Sequence, residues 1–236
     1  MNGTPVDRAV LDALRAWDTP MLCNALEVVT PERRGFGFTQ QTLICARPAL
    51  PPMVGYAKTC MMRSIEPDRV DKEAAHALRM DYYAHLEQGP TPRVVLVQDL
   101  DGGRAGAGAM WGEVQSNIHK GLGCLGVVTD GSVRDMDAIA DGFQFLAAHV
   151  IPSHIHNHIV AFDCEVNICG MIARGGDLIH ADRHGAVIIP DGKGQEVVDA
   201  CEMLARKEAV IIEAAQRPDF DFAALKRAWG DSDDVH

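Results

Sequence analysis

Signals for export, membrane insertion, nucleotide binding and disulfide chemistry are missing from this 236-residue chain. No stretch approaches the roughly 18 consecutive apolar residues of a membrane span. The first seven residues lack the basic and then apolar blocks of a secretion signal, so a cytoplasmic location is expected. No Walker sequence occurs, and although Gly106 and Gly108 begin a Gly-x-Gly pattern, Trp111 stands where a dinucleotide fingerprint needs its third glycine. The seven cysteines, Cys23, Cys45, Cys60, Cys124, Cys164, Cys169 and Cys201, form no Cys-x-x-Cys pair and are odd in number. They read as reduced, buried thiols. Lysine is scarce: Lys58, Lys72, Lys120, Lys193, Lys207 and Lys226 are the only ones, and none has a motif arguing for a Schiff base. Basic side chains number 22 against 33 acidic ones, a formal net charge of −11. That balance disfavours nonspecific binding to nucleic acid or anionic membranes. It does not exclude a small anionic substrate, because a local arginine outweighs a distant, screened average field.

What is present is a globular chain with enough apolar residues, 47%, for a sizeable core. Thr4-Pro5-Val6-Asp7 reads as the start of a first helix, and Asp18-Thr19-Pro20 as the start of a second running to about residue 29. Residues 30–52 are expected to be largely loop and 54–62 a strand. A helix over 69–88 ends at Gly89-Pro90. Short buried strands are expected at 94–97 and 125–129. Between them Trp111-Gly112 opens a helix from Glu113 to Lys120, and another helix is expected from Val133 to about Ala140. Residues 144–190 alternate short apolar runs with turns, which is mostly β structure. Helices follow over 194–216 and about 219–229. Without repeats or long linkers, the expectation is a single compact α/β domain, residues 1–236, with two β-rich faces.

Four constellations carry chemistry. The first is the helix start Gly112-Glu113-Val114-Gln115, whose free amides could hold a carboxylate; it could equally be an ordinary helix cap. The second is Asp130-Gly131-Ser132-Val133-Arg134-Asp135, just past a buried strand, where open α/β sheets place ligands. There Arg134 could clamp a carboxylate with paired hydrogen bonds, and Asp135 could hold a hard divalent cation. Ser132-x-x-Asp135 fits a capping box as well, which would leave Arg134 a solvated charge. The third is His154-Ile155-His156-Asn157-His158. On a strand its three imidazoles would share one face and could bind a transition metal; a polar strand face or a loop near the substrate is the other reading. The fourth, residues 176–190, is a β-hairpin with a polar turn, where Asp177, Asp182 and His184 could be acid–base groups or simply build the turn, and His180 adds a further imidazole.

In combination these residues resemble a known family. Gly-Glu-x-x some twenty residues before Gly-Val-Val-x-Asp-Gly-x-x-Arg-Asp, followed by Gly-Asp-Leu-x-x-Ala-Asp-x-x-Gly-x-x-x-x-Pro, is similar to the RraA-like family. That family contains 4-hydroxy-4-methyl-2-oxoglutarate and 4-carboxy-4-hydroxy-2-oxoadipate aldolases together with the regulator of ribonuclease E activity. The resemblance spans roughly residues 19–208. It implies a swivelling β/β/α fold assembled as a homotrimer or homohexamer, with sites near subunit interfaces. It implies that Arg134 binds the substrate carboxylate and that Asp135 holds magnesium or manganese, partly through water. The amides of Gly112 to Gln115 would hold the pyruvyl end, and Glu113 would orient a catalytic water. The expected activity is metal-dependent aldol cleavage of a 4-hydroxy-2-oxo acid to pyruvate, with oxaloacetate decarboxylation as a side reaction. A non-catalytic regulator that binds ribonuclease E, and a metal hydrolase or lyase using the three histidines, are the alternatives. The chain departs from the pattern at Asn24, where the family usually carries aspartate before Ala25-Leu26, and in its histidines.

Overall fold

A computed structural model describes residues 5–235. Its frame is a mixed α/β fold around a curled half-barrel sheet of nine strands. Two N-terminal helices, α1 (Arg8–Leu14) and α2 (Thr19–Val29), open the chain, each capped by an aspartate carboxylate: Asp7 and Asp18. The first cap expected at Thr4 lies outside the described residues. The expected long loop follows, interrupted by a single 3₁₀ turn and the two-residue strand β1 (Ile44–Cys45).

Strand β2 (Met53–Arg63) then leads through α3 (Lys72–Leu86) to β3 (Arg93–Asp99). The short strand β4 (Ala109–Trp111) and helix α4 (Glu113–Gly121) lead to β5 (Cys124–Val133), and β6 (Gln144–Val150) follows. Strands β2, β3, β5 and β6 pair in parallel, so α3 and α4 are crossover helices. Strands buried on both faces read as continuous apolar runs, which is why 94–97 and 125–129 were legible as strands. The rest of the β-rich half adds β7 (His158–Phe162), beside β2, and the hairpin β10 (Leu178–Asp182) and β11 (Gly185–Ile189). A separate ribbon, β8 (Val166–Ile168) with β9 (Met171–Ala173), covers part of one face. Helices α5 (Gly194–Ala215) and α6 (Phe222–Asp233) close the chain.

Three apolar clusters follow from this layering. One, with Trp111, Tyr82, Phe143 and Phe145, lies under α3 and α4. A second lies between the sheet and the β8–β9 ribbon, and a third packs α1, α2 and α5 on β2, β10 and β11. The buried Arg93 joins the first layer at its base. Its guanidinium donates to the carbonyls of Glu87 and Gly89 after α3 (2.6 and 2.9 Å) and of Leu122 after α4 (3.1 Å). A cation at two helix C-termini satisfies their orphan carbonyls and opposes their dipoles. Both helices therefore present their N-termini at the other end, where the parallel strands finish.

The expected helix from Val133 is absent. β5 continues through Val133 because β4 pairs with it there, Ala109 opposite Ser132 and Trp111 opposite Val133. Only a single 3₁₀ turn, Met136–Ala138, follows. Ser132 is a strand residue whose hydroxyl donates to the Gly106 carbonyl, so the capping-box reading fails. Residues 154–157 are loop and β7 starts only at His158, so the histidines do not share a strand face.

Candidate active site

The adjacency of β4 and β5 builds the site. The Arg134 amide donates to the Trp111 carbonyl (2.8 Å), bringing Arg134-Asp135 against the start of α4. Asp135 then takes the left-handed conformation (φ 53°, ψ 43°), which aspartate tolerates better than most residues. This turn lays its carboxylate over Gly112: Oδ2 accepts from the Glu113 amide (3.2 Å) and lies 3.5 Å from Arg134 Nε. Gly112 is required by space: a Cβ there would come within 2.3 Å of Asp135 Oδ2 and 3.2 Å of Arg134 Cγ. The sequence-nominated Gly112, Val114, Gln115, Arg134 and Asp135 are thus brought to one open depression of about 470 Å³. Glu113 contributes its amide, but its side chain is exposed and lies outside the lining residues.

The helix start is braced from behind. Buried His119 sits 2.7 Å from the Gln115 carbonyl through Nδ1 and 2.8 Å from the Tyr82 hydroxyl through Nε2. A carbonyl can only accept, so Nδ1 carries the proton and Nε2 accepts from Tyr82. Burial lowers the His119 pKa to about 4, which keeps the ring neutral. The Tyr83 hydroxyl donates to Gln115 Oε1 (3.0 Å). Helix α3 is thereby tied to the first turn of α4.

The histidine segment is the loop beside the candidate site. The Ala109 amide donates to the Ser153 carbonyl (2.9 Å), Asn157 Nδ2 to the Ala109 carbonyl (3.2 Å) and the His156 amide to the Ser64 carbonyl (3.0 Å). Gly108 permits the approach, since a Cβ would come within 2.4 Å of Ser64 Cβ and 2.9 Å of the His154 carbonyl. His154, His156 and His158 all line the depression. Nδ1 of His154 faces the Ile155 carbonyl (2.9 Å) and Nδ1 of His158 the His156 carbonyl (2.8 Å), so each donates there. Among the described residues no three His, Cys, Asp or Glu side chains gather as a metal cluster. The three-histidine transition-metal centre is not formed.

Sequence reasoning also missed that Asp130 belongs to a carboxylate ladder with Asp99 and Asp101. Asp130 Oδ1 accepts from the Asp99 amide (2.7 Å), Asp99 from the amides of Gly106 and Asp101, and Asp101 Oδ2 from Ser64 and Ile65. Burial raises Asp130 to about 6 and also raises Asp99. At Asp101 burial acts the same way, but the bonds from Ser64 and Ile65 outweigh it and lower the pKa. These carboxylates staple the loops after β2 and β3 to β5.

The acid–base candidates of the hairpin, and His180 beside them, are engaged elsewhere. His180 is fully buried, with Nε2 3.1 Å from the Trp17 carbonyl and Nδ1 3.0 Å from the Thr19 hydroxyl. Asp182 accepts from the amides of Thr19 (3.0 Å) and His184 (2.8 Å). Neither residue lines the Arg134–Asp135 depression. Asp177 accepts from the Arg174 amide (2.8 Å), a turn role.

The structure is thus a mixed α/β frame with a helix start beside an Arg-Asp pair. The Aldolase/RraA description of the RraA-like family matches residues 19–188, and the chain belongs to that family. An uncharacterized protein of Methanocaldococcus jannaschii is 33% identical over 111 residues, covering 46% of this chain and 53% of the relative. A protein of Halalkalibacterium halodurans named "Putative 4-hydroxy-4-methyl-2-oxoglutarate aldolase" is 30% identical over 141 residues, 59% of this chain and 64% of its own length. The chain therefore spans about half to two thirds of the length of these curated relatives. Among solved structures, Streptomyces coelicolor RraAS2, described as an unusual member of the RNase ES inhibitor RraA protein family, superposes with TM-score 0.69 at 22% identity, covering 91% of this chain and 99% of that one. An uncharacterized Pseudomonas syringae protein gives TM-score 0.69 at 22% identity over 95% and 98%. These two likenesses establish the fold. Among the described residues no helix is long and apolar enough to cross a membrane.

Proposed function

We propose that this protein is a divalent-metal-dependent carbon–carbon lyase. It cleaves a 4-hydroxy-2-oxo di- or tricarboxylic acid to pyruvate and a second oxo acid. The observation that carries this reading is the Arg134–Asp135 pair folded over the Gly112 helix start in an open depression. Relatives at about 30% identity named for 4-hydroxy-4-methyl-2-oxoglutarate aldolase activity support it.

Arg134 would bind the C1 carboxylate with charge-assisted hydrogen bonds. The Glu113 amide already serves Asp135, so the first-turn amides of Val114 and Gln115 would orient the pyruvyl end. Asp135 suits a hard cation: Oδ2 is engaged, whereas Oδ1 has no hydrogen bond among the described residues. One carboxylate completed by water and substrate oxygens fits magnesium or manganese rather than four-coordinate zinc. Such an ion would supply positive charge for the 2-oxo oxygen. Glu113, exposed at the helix start, would hold the water that takes the C4 hydroxyl proton. The C3–C4 bond then breaks, its electron pair forms the pyruvate enolate, and C3 takes up a proton. Arg134 stabilises that enolate charge where it develops. Oxaloacetate decarboxylation uses the same enolate.

The test is pyruvate release from 4-hydroxy-2-oxo acids with magnesium, with chelator, and with Asp135→Ala. Undiminished turnover in the variant would remove the metal assignment. Absence of turnover on every oxo acid, together with capture of ribonuclease E, would favour the regulator. A homotrimer or homohexamer belongs to the same proposal. Ile212, Phe222 and Trp229 on α5 and α6 are exposed and would give such an assembly apolar surface to bury. Light scattering reads the mass.

A further inference from the structure

Helix α3 changes character along one face. Ala75, Arg79, Tyr82 and Leu86 follow a 4, 3, 4 spacing and so share that face. At its C-terminal end the face is core: Tyr82 and Leu86 are fully buried, and Tyr82 is bonded to His119 of α4. At its N-terminal end the same face leaves the core, and Ala75 and Arg79 line the depression that holds Arg134 and Asp135. An apolar residue at 79 would continue the core pattern; a guanidinium stands there instead. No carboxylate pairs with Arg79 among the described residues. Of the two carboxylates in the lining, Asp135 is engaged with Glu113 and Arg134, and Asp68 accepts from the Val70 amide (3.2 Å); neither forms an ion pair with Arg79.

His156 lines the same depression. Its neighbours His154 and His158 spend Nδ1–H on backbone carbonyls, but neither ring nitrogen of His156 is bonded among the described residues. It therefore keeps an N–H to offer an anion. In a chain of net charge −11, an unpaired guanidinium and an unpaired imidazole in one depression with Arg134 make a local exception.

We infer that the α3 wall of the depression is a second anion subsite, with Arg79 as its main donor and His156 as its companion, and that it binds the carboxylate of an oxo acid remote from C1. This rests on the lyase reading for the head of the substrate and deepens it. Arg134 takes the pyruvyl carboxylate, and Arg79 selects substrates that carry another. Helix α3 can hold that position because the Tyr82–His119 bond and the Arg93 contacts fix it against α4.

The experiment compares two probes with the same 2-oxo acid head, 2-oxoglutarate and 2-oxopentanoate, by calorimetry with and without magnesium. They differ in one remote carboxylate. The full chain should bind 2-oxoglutarate about tenfold more tightly, the worth of one charge-assisted bond. In Arg79→Gln that preference should fall to about twofold, with a smaller fall in His156→Gln. Arg79 is exposed, so the variant should fold, and circular dichroism checks it. In parallel, KM for 4-hydroxy-2-oxoglutarate should rise about tenfold in Arg79→Gln with kcat nearly unchanged, the pattern of lost ground-state binding. Equal affinities in the unaltered chain, a preference that survives Arg79→Gln, or no binding of 2-oxoglutarate at millimolar concentration would overturn the subsite. A preference that Arg79→Gln removes, with no turnover of any hydroxy oxo acid, would keep the subsite and sink the lyase reading instead.

Discussion

The depression at the end of β5 and the turn of the β10–β11 hairpin are built from the same residue types. Each has aspartate, arginine and histidine at a strand end, and each meets the start of a helix. At the hairpin, His180 and Asp182 are consumed by the start of α2: Thr19 gives its amide to Asp182 and its hydroxyl to His180, and Trp17 takes the other ring nitrogen. At the depression Asp135 meets the start of α4 through one oxygen only, and the side chains of Arg79 and His156 have no hydrogen-bond partner among the described residues. The difference teaches that residue type alone does not mark a site. Polar groups left with unused capacity do, because a saturated carboxylate or imidazole has nothing to offer a ligand.

The largest test of this contrast is Asp135→Ala. Turnover should fall about a thousandfold, the scale of losing charge stabilisation at a developing anion. Stability should fall by only about 1 kcal/mol, the cost of alanine in the left-handed conformation, because the residue is partly exposed and anchors only one amide. A large loss of melting temperature would make Asp135 another structural carboxylate and break the contrast.

Next in size is the acid limb of stability. Burial holds both His119 and His180 at about 4, below the ordinary value of 6.5. The unfolded chain then binds more protons between pH 6.5 and 4. Stability is complete above 6.5 and is lost as pH falls through that window, about 3 kcal/mol for each ring. Asp130 works the other way. Raised by burial to about 6, it binds its proton earlier in the folded state and offsets part of the loss between pH 6 and 3.8. The net fall should be about 3 kcal/mol, read from urea midpoints across the window. A flat profile would show that the two rings are not held neutral.

How far this was readable beforehand depends on what set each feature. Runs buried on both faces marked β3 and β5, and Asp18-Thr19-Pro20 marked the start of α2, because these signals are local. Val133–Ala140 misled because β4 pairs with Ser132 and Val133, a tertiary contact that overrides a helical pattern. Gly112, Arg134 and Asp135 were legible as motifs, but their meeting depends on the Trp111–Arg134 backbone bond. Arg79 went unseen although the 75, 79, 82, 86 spacing was in the sequence. The signal was a cation interrupting a helix's inward face, and only the depression gives that interruption a meaning.

At the saturated end, His180→Ala should cost about 2 kcal/mol, since it removes the partner of the buried Thr19 hydroxyl and of the half-buried Trp17 carbonyl. Turnover per folded molecule should stay within about twofold.

His184→Ala should cost less than about 0.5 kcal/mol, although its ring lies 3.1 Å from Asp182 Oδ1. The side chain is 48% exposed against 11% for Asp182, so water screens the pair. The imidazole is the least of the contacts that lower the Asp182 pKa. That pKa is pushed up by burial but held below the ordinary value by bonds that include the backbone amides of Thr19 and His184. Both amides survive the substitution. If chemical denaturation nevertheless showed a loss of 2 kcal/mol or so, the imidazole itself would be completing Asp182. The hairpin would then be closed by side chains rather than by its backbone, which is the property that separates it from the depression.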